Sequence, residues 1–149
     1  MKGMTDWEGA KNALLADETL KCVLQKGEVQ YRSEKRGVAP MMDFLEEGLD
    51  LRGFCAADRV VGKATAFLFV LAGVRAVYGA VMSESARDVL LRYGVDCQAE
   101  KLVPYIINRR GDGACPMETA VREIEDPHDA YLAVKKTQKM LSEQKKELV

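Results

Sequence analysis

The sequence predicts an α/β protein, a three-layer α/β/α sandwich on a mixed sheet of about five strands. Three observations carry this expectation. First, Phe54–Gly73 reads as a short strand that stops at Asp58 and turns into an apolar helix. From Val60 to Ala72 the only fully charged side chain is Lys63. A helix this apolar is buried on most faces, so it lies against a sheet and is covered on its other side. Second, Val74–Met82 is β-branched, continuous and nearly uncharged, as a strand covered on both faces must be. Third, the order strand–helix–strand–helix–strand implies parallel neighbours joined by crossovers.

Taken in order, residues 6–17 read as a helix capped by Asp6, with Trp7, Ala10, Leu14 and Leu15 on one face. Leu20–Lys26 reads as a strand, Gly27-Glu28 as a turn and Val29–Ser33 as its hairpin partner. Pro40 suits the first turn of a helix running to about Glu47, with Met41, Phe44 and Leu45 inward. In the central helix Val60, Val61, Ala64, Phe67, Leu68 and Leu71 are expected to be buried, and Gly73 takes the left-handed position after its end. Ser83 caps a helix over Glu84–Tyr93, and Val95–Val103 is a further strand. Pro116 opens a short helix through Ile124. Asp126-Pro127 caps a last helix to about Lys146, with Ala130, Val134 and Leu141 as its apolar stripe.

At 149 residues a single domain spanning 1–149 is expected. The net charge of -1 gives no general attraction to nucleic acid polymers or to an anionic membrane. No apolar run reaches the roughly 20 residues that span a bilayer. The first residues lack an apolar signal-peptide core, so a cytoplasmic location is expected by default. The cysteines are Cys22, Cys55, Cys97 and Cys115, none in a CxxC pair, and His128 is the only histidine. That pattern argues against a structural zinc site and against a disulfide framework.

Three constellations are candidates for function. In Asp58-Arg-Val-Val-Gly-Lys63 the helix N-terminus offers unpaired N–H groups and partial positive charge. Arg59 and Lys63 are four apart and would share a helix face. Gly62 permits close approach, and Asp58 stands at the edge; the competing reading makes Asp58 only a cap and leaves the cations solvated. Lys63 is the stronger pointer, because a buried unpaired ammonium must reach water, a carboxylate or a ligand. In Asn108-Arg-Arg-Gly-Asp-Gly-Ala-Cys-Pro-Met-Glu118, Arg109 and Arg110 supply forked donors for phosphate or carboxylate, with Asn108 beside them. Cys115 precedes a helix start, where the dipole favours a thiolate; alternatively it closes a turn with Glu118 in a capping box. In Val81-Met-Ser-Glu-Ser-Ala86, Ser83 or Ser85 either meets a ligand at the same sheet edge or simply caps the helix.

Three blocks, Ala57-Asp-Arg-Val-Val-Gly-Lys-Ala64, Leu102-Val-Pro-Tyr-Ile-Ile-Asn-Arg109 and Gly113-Ala-Cys-Pro-Met-Glu118, resemble a small bacterial family of unknown function, DUF 1893. Its fold resembles that of the cytidine deaminases. The likeness covers about residues 18–125 and implies a deaminase-like core there, flanked by the helices at 6–17 and 127–146. It does not imply deamination. Zinc deaminases need a His or Cys ligand and a Glu at the start of the central helix, and PCxxC at the next. The corresponding places here read Asp58-Arg-Val-Val and Ser83-Glu-Ser-Ala, so neither a metal nor a cofactor is expected. What the resemblance lends is a location, the pocket between those helix starts, lined by Asp58, Lys63 and Ser83.

The function expected is binding of a nucleotide-like or other anionic small molecule. The alternatives are a zinc-independent enzyme with Cys115 as nucleophile assisted by Lys63 or Asp58, and a non-catalytic interaction module. Deaminase-like folds commonly self-associate, which raises a homodimer by analogy. If Asp58–Lys63 and Asn108–Glu118 form one site, Cys115 is expected within roughly 10 Å of Asp58 or Lys63.

Overall fold

A computed structural model describes residues 5–107, 111, 113 and 115–147 of the chain. Its elements run α1 (Asp6–Ala16), β1 (Cys22–Lys26), β2 (Val29–Ser33), α2 (Ala39–Glu46), β3 (Cys55–Val61), α3 (Lys63–Ala72), β4 (Ala76–Ser83), α4 (Glu84–Arg92), β5 (Asp96–Val103), α5 (Pro116–Val121) and α6 (Pro127–Glu147). Gly27, at φ 59°, makes the tight turn that sends β2 back along β1. The strands form one mixed sheet in the order β2-β1-β3-β4-β5. β1 is antiparallel to β2 and β3, whereas β3, β4 and β5 are parallel. The mixed five-stranded α/β sheet is therefore the one the element order predicts.

Alternation along the strands sends neighbouring side chains to opposite faces. Val23 and Ala57 join Ala10, Leu14, Leu20 and Tyr78 in a core beneath α1. Cys22, Leu24 and Ala56 join the larger core, which includes Phe67, Leu68 and Phe69 of α3, Val77, Met82 and Leu90. α3 packs against α2, α4, α5 and α6. Every residue from Ala64 to Phe69 is buried, each large side chain contributing about 1.5–3 kcal/mol. Gly73, at φ 81°, ends the helix, its N–H returning to the carbonyls of Phe69 and Val70.

Several boundaries differ from expectation. β3 continues three residues beyond Asp58, so Asp58 lies inside a strand and Gly62 is the residue that starts α3. The β-branched pair Val60-Val61 extends the ladder with β4. Val60 and Leu71 are exposed at 40% and 37%, on the open side of a strand end and a helix end. Leu15 and Leu141 are exposed too. α1 is capped by Thr5, whose Oγ1 accepts from Glu8 N–H at 3.1 Å. Asp6 instead accepts from Gly27 N–H at 2.8 Å, tying α1 to the β1–β2 turn. α5 ends at Val121, short of Ile124. Among the described residues, no helix is long and apolar enough to cross a membrane.

Candidate functional site

Gly62 has no side chain to cap α3, so the first N–H groups of the helix need a partner from elsewhere. α5 supplies it. Lys63 N–H donates to Glu118 Oε1 at 2.7 Å and Ala64 N–H to Glu118 Oε2 at 3.0 Å. A Cβ at Gly62 would overlap that carboxylate. The close approach foreseen at Gly62 is thus made by an acidic side chain 55 residues downstream in contact with the next residue. The bond in the opposite sense comes from Lys63, whose Nζ donates to the Arg122 carbonyl just past the end of α5 at 2.9 Å. Nζ also lies 3.8 Å from Glu125 Oε1 and 5.7 Å from the centre of the Phe67 ring. A carboxylate at one helix start and an ammonium at another helix end each complement a dipole. α3 and α5 therefore cap one another. Arg92, ion-paired with Glu125, and then Lys63 hold the Glu125 carboxyl below its ordinary range.

Beside this joint lies a cleft of about 400 Å³ lined by Lys63, Ser85, Tyr105, Ile106, Glu118 and Arg122. It opens where β3, β4 and β5 deliver their following segments, the edge at which open α/β sheets bind ligands. Tyr105, 69% exposed, presents a ring at the mouth. The 58–63 and 108–118 regions meet where Lys63 N–H donates to Glu118. Cys115 is the half-buried residue before Pro116, three positions ahead of Glu118. Asn108, Arg109 and Arg110 lie outside the described residues.

Asp58 and Arg59 do not join the cleft. Arg59 is on β3, not on a helix face with Lys63. Its guanidinium caps α1: Nε donates to the Leu20 carbonyl at 3.0 Å, and Nη2 to those of Leu14 at 2.5 Å and Asp17 at 3.0 Å. Asp58 is buried beside Cys22 and Gly79, its partners across β1 and β4. Burial pushes its carboxyl well above the usual carboxylate range. Ser83 is fully buried, and its Oγ accepts from Ala86 N–H at 3.1 Å, so it is the cap of α4. Ser85, 3.2 Å from it Oγ to Oγ, is the serine that reaches the cleft. Among the described residues no group of three or more His, Cys, Asp or Glu is placed to hold a metal ion.

Sequence reasoning did not find Tyr105, Ile106 or Arg122. The pointer to the first two is an apolar pair just after Pro104, beyond the end of β5, where an exposed ring has no core to fill. Arg122 carries no such pattern; only the joint between α3 and α5 brings it in.

A family model described as a domain of unknown function (DUF1893) matches residues 10–138. A crystal structure of a DUF1893 family protein from Thermotoga maritima superposes with a TM-score of 0.78 at 20% sequence identity, over 91% of this chain and 92% of that one. At that identity the likeness concerns the fold. No curated protein matches.

Proposed function

The chain belongs to the DUF1893 family, and for this member of it we propose binding of a nucleotide-like or other anionic small molecule in the cleft between α3, α4 and α5. The observation that carries the reading is the convergence of Lys63, Ser85, Tyr105 and Arg122 on one cavity of about 400 Å³ at the C-terminal edge of the parallel strands. That volume suits a mononucleotide-sized ligand. The Tyr105 ring offers a stacking face and Ile106 an apolar wall. Ser85 and Glu118 offer hydrogen bonds to hydroxyl or amino groups. The Glu118 carboxylate already occupies the N-terminus of α3, so the anionic group goes to Arg122. The order β2-β1-β3-β4-β5, with only β1 reversed, supports reading the fold as a deaminase-like sandwich that binds without zinc.

The test begins with native mass spectrometry of gently purified protein, which reads any retained ligand. Titration calorimetry with nucleoside monophosphates and diphosphates, and with inorganic phosphate, follows. Arg122→Ala is expected to weaken Kd by about tenfold or more, equivalent to at least about 1.4 kcal/mol. Tyr105→Ala is expected to weaken nucleotides but not phosphate. Cys115→Ser is included because an unchanged Kd removes the thiol from the site. No retained mass and no binding tighter than millimolar would end the proposal.

A further inference from the structure

Asp58 is 3% exposed and stands between two strands that bring it no cation: Cys22 on β1 and Gly79 on β4. Oδ1 accepts a long bond from Val60 N–H at 3.4 Å. Oδ2 is buried without a hydrogen-bond partner among the described residues. The carboxyl does not line the cleft. An ionised carboxylate so placed keeps unmet lone pairs in a medium of low dielectric, and such groups neutralise instead.

The groups around it leave that outcome in place. Arg59 lends some positive potential, but its guanidinium is bonded to the carbonyls of Leu14, Asp17 and Leu20 on the face of the sheet that α1 covers. The Cys22 thiol donates toward Asp58 and so favours the carboxylate, but burial of Asp58 outweighs it; the thiol is itself pushed well above its ordinary value, by burial first and by Asp58 second. Lys26 of β1 is bonded to the Arg52 carbonyl. α3 carries one titratable residue, Lys63, which is bonded to the Arg122 carbonyl. α2 carries Asp43, paired with Lys35, and exposed Glu46. β4 carries Tyr78, whose hydroxyl bonds Glu100.

We propose that folded protein holds Asp58 as the neutral carboxylic acid at neutral pH, which makes the β1–β3–β4 centre a pH-sensitive lock that loosens toward alkaline pH. The sign follows from linkage. Burial raises the folded-state value above the unfolded one, so the folded chain binds one proton more than the unfolded chain between those two values. The stabilisation is complete below the ordinary carboxylate value and declines as pH rises from there toward the folded-state value. For one proton the folding constant falls about tenfold per pH unit across that window.

The test is urea unfolding of the full chain, for the native sequence and for Asp58→Asn, from about pH 5 to about pH 9, the range in which buried carboxyls titrate. The native folding constant is expected to fall relative to the variant by about tenfold per pH unit up to the folded-state value of Asp58 and to level off above it. Parallel pH profiles would overturn the proposal. If Asp58→Asn does not fold, carbon NMR of aspartate-labelled native protein decides the question: a protonated Asp58 carboxyl at neutral pH supports the lock, and a carboxylate refutes it.

Discussion

Replacing Glu118 with alanine removes the acceptors of both Lys63 N–H and Ala64 N–H. Hydrogen bonds to a charged group contribute about 1.5–3 kcal/mol each, and cap removals cost about 0.5–2 kcal/mol. Both bonds are only part-buried, so water enters once the side chain is gone, and the two do not add in full. A loss of about 2–4 kcal/mol is expected, including about 0.3–1 kcal/mol of dipole interaction. For a chain of this size that lowers Tm by about 4–16 °C. Glu118→Gln keeps one acceptor oxygen and loses the charge, so about 1–2 kcal/mol is expected. Urea unfolding followed by circular dichroism reads both. A cost within about 0.5 kcal/mol of zero for Glu118→Ala would mean that water caps α3 equally well, and the mutual capping of α3 and α5 would be wrong.

Two further outcomes follow from the packing. Phe67, fully buried under the centre of the sheet, should cost about 3–5 kcal/mol on truncation to alanine, read by the same denaturant titration. Arg59→Met leaves the carbonyls of Leu14, Asp17 and Leu20 without their donor. It should cost about 2–4 kcal/mol and speed amide hydrogen exchange in residues 6–16 ahead of the rest of the chain; uniform exchange would show that the guanidinium is not what holds α1.

The sheet was legible because its information is local. Val29–Ser33 follows a two-residue turn, and Ala76–Ser83 is a short run of apolar residues, the pattern of a strand covered on both faces. The start of α3 was misread for a reason that is also local. Aspartate favours caps and disfavours strands, so Asp58 reads as the end of β3, although the β-branched Val60-Val61 pair continues it. Once Asp58 moves into the strand, Arg59 changes face and Lys63 loses its supposed neighbour. The true partner of the α3 start, Glu118, was not legible as such. Its own stretch reads as a self-contained capping box, and a contact across 55 residues leaves no mark in either segment. Lys63 was the exception: one ammonium in an apolar helix demands a partner, and it has the Arg122 carbonyl.

The joint between α3 and α5 also bears on the order of folding. A helix of six residues is too short to persist alone, so α5 has nothing to offer until α3 is already seated. Closing Lys63 onto Glu118 encloses β4, α4 and β5, and long-range closures of this kind form after the shorter ones they depend on. The contact is therefore expected to form on the native side of the barrier, with a φ-value near zero for Glu118→Ala as the check. On that expectation, Glu118→Ala speeds unfolding and leaves the folding rate nearly unchanged.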